Sequence, residues 1–157
     1  IENNDGPTSL VFSRQGLPTQ DRTEEQFDNV SRGAYVLFET DENPENILIA
    51  TGSEVSLALE SAKELEAEGV SVRVVSMPCV EVFEQQEASY QEQVLPNATR
   101  KRVAVEAAHV DYWRKWVGLD GAVVGMKGFG ASAPGGDLYK HFGFTVENIV
   151  DKVKALV

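Results

Sequence analysis

Few side chains in this sequence combine a reactive type with a setting that could use it, and Arg14 comes first. It stands between Ser13 and Gln15, after the β-prone run Thr8-Ser9-Leu10-Val11-Phe12-Ser13 and before Gly16-Leu17-Pro18. α/β enzymes place substrate contacts where strands end in loops. A guanidinium can hold a phosphate through two parallel hydrogen bonds. On composition alone, a surface salt bridge explains Arg14 equally well. A second candidate is Ala50-Thr51-Gly52-Ser53-Glu54-Val55, which reads as a strand passing through a glycine turn into a helix. Helix N-termini attract anions through unpaired N–H groups and the helix dipole. This segment lacks the full glycine pattern of a dinucleotide site and the Lys-Ser/Thr pair of a P-loop. Glu54 already satisfies the dipole in the first turn, so a structural turn is the better reading.

The glycine-rich run from Lys127 to Gly136 could form an anion nest or a mobile lid. With one cation, it more readily suits a tight crossover against neighbouring aromatics, and its surface could serve a subunit contact. His109 and His141 are the only histidines, and neither has a motif partner for proton transfer. His109 lies near Glu106 and Asp111, which favours a structural hydrogen bond. His141, in Tyr139-Lys140-His141-Phe142, reads as the end of an amphipathic helix. Cys79, the sole cysteine, has no adjacent cation to activate it and reads as a small buried side chain. Trp113 and Trp116 read as packing or interface residues.

These residues need a scaffold, and the hydrophobic pattern supplies one. Residues 34–38 read as a strand, and Ile47-Leu48-Ile49-Ala50-Thr51 as a strand covered on both faces. Val55, Ala58, Leu59, Ala62 and Leu65 make one apolar stripe of a helix over residues 54–68, with Ser53 as candidate N-cap and Gly69 as terminator. Strands follow at residues 70–75, 102–106 and 122–125. Partial helix is expected over residues 83–94. A last helix follows Thr145 as N-cap, with Val146, Ile149, Val150, Val153 and Val157 on one side. Alternating strands and helices imply a largely parallel sheet between helical layers. The polar stretch over residues 19–29 reads as a linker, which leaves residues 8–13 as a strand whose sheet lies elsewhere.

The chain has 157 residues, 42% hydrophobic and 25% charged, which suits one globular α/β domain. Its formal charge of −11 repels phosphate backbones and anionic lipid, arguing against nucleic acid and membrane partners. No apolar run approaches the ~20 residues needed to cross a bilayer. A single cysteine and a polar, acidic start make a cytoplasmic location the expectation. A start at Ile1 without methionine suggests a fragment or a processed product.

Several segments, colinear over nearly the whole chain, resemble transketolases. Gly6-Pro7-Thr8-Ser9-Leu10 with Ser13-Arg14-Gln15 resembles the last strand of their pyrimidine-binding domain. Ile49-Ala50-Thr51-Gly52-Ser53-Glu54-Val55 and Val72-Arg73-Val74-Val75-Ser76-Met77-Pro78 resemble the C-terminal domain. So do Arg102-Val103-Ala104-Val105-Glu106-Ala107, Phe129-Gly130-Ala131-Ser132-Ala133-Pro134 and Phe142-Gly143-Phe144-Thr145-Val146-Glu147-Asn148.

The resemblance implies an α/β fold of three layers (α/β/α), with a mixed five-stranded sheet whose first strand is antiparallel. Residues 1–30 would be the end of the pyrimidine-binding domain plus linker, and residues 31–157 the C-terminal domain. It implies ketol transfer between ketose and aldose phosphates, using thiamine diphosphate and a divalent cation (magnesium or calcium), in a homodimer. Arg14 matches the arginine of the family's Ser-Arg-Gln motif that binds substrate phosphate. No catalytic, cofactor-binding or metal-binding residue of the family matches a position here, so the chain is expected to be inactive alone. A dihydroxyacetone synthase, an independent anion- or nucleotide-binding module using Gly52-Ser53 and the loop over residues 128–136, and a dimerisation module using residues 113–116 or that glycine loop are the alternatives. Residues 1 to about 30 are expected to be loosely held or swapped onto a neighbour.

Overall fold

The computed structural model describes residues 6–156. Along the chain, α1 (Glu24–Asn29) precedes β1 (Tyr35–Glu39), β2 (Asn46–Ala50), α2 (Glu54–Ala67) and β3 (Val72–Ser76). Next come α3 (Val80–Glu84), α4 (Ala88–Val94), β4 (Lys101–His109), a 3₁₀ turn at Val110–Trp113 and α5 (Arg114–Val117). The chain ends with β5 (Ala122–Met126), α6 (Gly135–Phe142) and α7 (Val146–Lys154). The sheet order is β1-β3-β2-β4-β5. β2 runs parallel to β3 and β4, β4 runs parallel to β5, and β1 alone is antiparallel, to β3. The expected mixed sheet is therefore present.

The pattern of β2 explains the two helical layers. Every residue of β2 and β3 is buried, as central parallel strands require. Leu48 and Ala50 point into a cluster with Ala58, Ala62 and Leu65 of α2 and Ile149 and Val153 of α7. Ile47 and Ile49 point the other way, into a cluster holding Phe83, Tyr90, Trp113 and Trp116. Strand alternation thus divides one apolar run between two cores. α2 ends as the stripe predicts, with Gly69 at φ 78°. Thr145 caps α7, its side chain accepting the N–H of Asn148. Gly33 is sterically obligatory: φ is 87°, and a Cβ there would lie 2.4 Å from the Cys79 carbonyl oxygen.

Three segments differ from the sequence expectation. Residues 8–13 form no strand and are exposed, with Val11 94% and Phe12 82% accessible. Among the described residues no strand lies beside this run, and an isolated strand is not stable. Residues 19–29 are not simply a linker, because residues 24–29 form α1. A reciprocal capping box starts it: Thr23 accepts the N–H of Gln26, and the Gln26 side chain accepts the N–H of Thr23. This part is tied to the domain as well, which corrects the expectation that everything before residue 30 is loosely held. Gln20 Nε2 donates to Ser56 Oγ at 2.9 Å, and Arg22 Nε donates to the Tyr35 hydroxyl at 2.7 Å. Finally, the glycine-rich run ends in a helix, since Gly135 and Gly136 open α6.

Candidate functional site

The sheet order sets where a ligand could enter. β2 leads through α2 to β3 on one side, and β3 leads through α3 and α4 to β4 on the other. In open α/β sheets, crossovers that diverge in this way leave a crevice at the carboxyl ends of the strands. A cleft of about 460 Å³ lies there. Ser53 and Glu54 enter from the start of α2, Ala107 to His109 from the end of β4, and Tyr139 and Phe142 from α6. Gly128 and Gly130 complete the rim. The structure thus brings together the Gly52-Ser53 turn and the glycine-rich run, which the sequence offered separately.

One lining side chain carries a carboxyl group, Glu54, beside the polar Gln15, Ser53, His109 and Tyr139. Glu54 is only 4% exposed. Its Oε1 accepts hydrogen bonds from the Tyr139 hydroxyl at 2.5 Å and from Ser53 Oγ at 3.2 Å. Burial, followed by the hydrogen bond to Glu54, pushes the Tyr139 phenol up to about 12, so it remains a donor. Glu106, near the end of β4, accepts the indole N–H of Trp113. Burial raises its carboxyl above the usual range, the Trp113 hydrogen bond opposes that shift, and the charge of Glu54 adds to it. Among the described residues, no lysine or arginine lines the cleft.

The remaining candidates have plainer roles. Ser53 stands at the α2 N-cap but makes no capping hydrogen bond, because its hydroxyl is turned to Glu54. Gly52 has φ 57° and nothing within 4 Å of a notional Cβ, so it serves the turn. Gly128, Gly130, Gly135 and Gly136 also have open space at that position and no positive φ. The tight crossover expected of them does not occur. His109 is exposed at the cleft rim and sits 3.5 Å from Asp111, while His141 lies edge-on to Phe142. Cys79 is half-buried beside Glu81. Trp113 and Trp116 are 1% and 9% exposed and pack in the second core with Phe83 and Tyr90.

Arg14 is exposed and makes no ion pair among the described residues. Its neighbour Gln15 reaches the cleft wall. The Glu54–Tyr139 pair escaped the sequence reading because 85 positions separate its members and no local pattern joins them.

Comparison with known proteins supplies the lineage. Residues 33–145 match the model of the transketolase-like TK C-terminal domain. Transketolase 1 of Pasteurella multocida is 57% identical over 160 residues, covering all of this chain and 24% of that protein. The structure of transketolase from Leishmania mexicana superposes with a TM-score of 0.75 at 46% identity, over 82% of this chain and 18% of the other. A Pichia stipitis transketolase solved with sedoheptulose-7-phosphate gives 0.81 at 32% identity, over 91% and 20%. The chain therefore spans about a quarter of the length of the curated relatives it matches. By domain match and by end-to-end identity, it belongs to the transketolase family, as the C-terminal domain.

Proposed function

We propose that this chain is the C-terminal part of an enzyme that moves a two-carbon ketol unit from a ketose phosphate to an aldose phosphate. The observation that carries this is the unbroken match to transketolases, 52–57% identical over the whole chain. The enzyme is read as a cytoplasmic homodimer acting on sugar phosphates. No helix among the described residues is long and apolar enough to cross a membrane.

Transketolase chemistry rests on thiamine diphosphate and a divalent cation, and the residues described here do not fit that pair. No three His, Cys, Asp or Glu side chains cluster to hold a metal among the described residues. The cleft would oppose a diphosphate with the Glu54 carboxyl group. We read this chain as supporting the fold and the dimer. The pure chain, supplied with thiamine diphosphate, magnesium, donor and acceptor, should form no ketol-transfer product. Product formation above that of a heat-denatured control would overturn this.

Arg14 is the one active-site contribution in this reading, as a ligand for substrate phosphate. In the longer enzyme carrying this sequence, Arg14→Gln removes a charged bidentate contact worth about 1.5–3 kcal/mol. KM for phosphorylated substrates should rise roughly 10- to 150-fold, by that same energy. Kinetics with an unphosphorylated acceptor should change little. An equal loss with both acceptors would remove Arg14 from this role.

A further inference from the structure

We propose that the cleft at the carboxyl ends of β2, β4 and β5 binds a small organic cation, an ammonium or amidinium carried on an apolar body. Glu54 is the anchor. It is 96% buried by residue area, at 4% exposure, and one carboxyl oxygen takes both the Tyr139 and the Ser53 hydroxyls. The other oxygen, Oε2, accepts no hydrogen bond among the described residues. No fully buried side-chain oxygen or nitrogen there lacks a partner, so Oε2 is open to the cleft and not sealed in the core. A carboxyl group this withdrawn from water with acceptor capacity left over favours a ligand that brings N–H donors.

The surroundings choose the sign and shape of that ligand. Glu54 is the one carboxyl among the described lining residues, no lysine or arginine stands beside it there, and Glu106, turned to Trp113 outside the lining, is near enough for its charge to act on Glu54. The first N–H groups of α2 are already engaged, Glu54 with the Thr51 carbonyl and Val55 with the Gly52 carbonyl, which leaves those two no donor for an anion. Met126, Leu138, Phe142 and Phe144 supply an apolar wall. A volume of about 460 Å³ suits a small organic molecule better than a bare ion. Gly128 and Gly130 leave the rim unobstructed. The site depends on none of the ketol-transfer reading, so an inactive or an active chain leaves it equally testable.

The test is a titration of the 157-residue chain with benzamidine, benzyl alcohol, benzoate and inorganic phosphate, followed through backbone amide chemical shifts. Benzamidine should saturably shift the amides of Ser53, Ala108 and Gly130. Benzyl alcohol should bind at least tenfold more weakly, and benzoate and phosphate should leave those amides unmoved. Glu54→Gln should weaken benzamidine at least tenfold. Because Glu54 is buried, Ala107→Trp provides a second variant at an exposed wall position; it should block benzamidine with the fold intact. Benzamidine shifts that are absent or lie elsewhere, equal binding of benzoate or phosphate, or undiminished binding by Ala107→Trp would each overturn the proposal.

Discussion

Arg73 is a charged side chain in the middle of a fully buried strand, and its partners explain how it is tolerated. It pairs with Glu39 at 2.6 Å across the β1–β3 ladder and donates to the carbonyls of Glu42, Gln93 and Val94. One guanidinium thus ties the turn after β1, the end of α4 and β3 together. Arg73→Met keeps the apolar stem but strands those acceptors, so it should cost about 2–4 kcal/mol. The measurement is the urea midpoint at unchanged m-value. Tyr139 makes a different prediction. Its phenol is held at about 12 in the folded chain against 10.0 ordinarily, so the folded state keeps that proton longer. Its contribution to stability is complete below pH 10 and is lost as pH rises towards 12. Tyr139→Phe should therefore flatten the alkaline fall in urea midpoint between those values, and an unchanged slope would refute this.

At the scale of elements, legibility followed the apolar stripe. β2, α2 and α7 carry their own periodicity, and each appears close to where the pattern places it. The antiparallel direction of β1 came from family resemblance, since its residues alone do not state it. α1 was unreadable as a helix because it buries no residue and its attachment runs through one polar side chain, Gln26. The end of α6 was legible at Tyr139–Phe142, and its start was hidden by the two glycines there. Half of the cleft, the Ser53-Glu54 turn, was visible as a strand–turn–helix; Tyr139 was not, because only tertiary packing brings it there. Caps show the same divide. Thr145 makes its capping bond and Ser53 does not. Thr145→Ala should cost about 1 kcal/mol. Ser53→Ala loses no cap but removes one of the two hydroxyls bonded to the buried Glu54 carboxyl, so it should cost about 0.5–1.5 kcal/mol. Thermal unfolding of both variants, with and without Glu54→Gln, separates the two causes, because only the Ser53→Ala loss should shrink in that background.

For the whole molecule, the sheet's two ends matter most, because an uncovered edge strand is a template for another chain. β1 is one such end. Gln26 of α1 donates its amide hydrogens to the carbonyls of Val36 at 3.0 Å and Leu37 at 2.9 Å. The recognised domain begins only at residue 33, beyond α1. A chain trimmed to residues 33–157 should keep both cores yet self-associate as its concentration rises, whereas the 157-residue chain should do so less. Sedimentation of the two at matched concentrations decides it, and identical behaviour would count against the role of Gln26. The capping box before β1 then has a meaning beyond local helix stability. It works as a stopper for the sheet, so the portable unit is the domain with its lead-in attached, and a cut at the family boundary would turn a closed surface into an adhesive one.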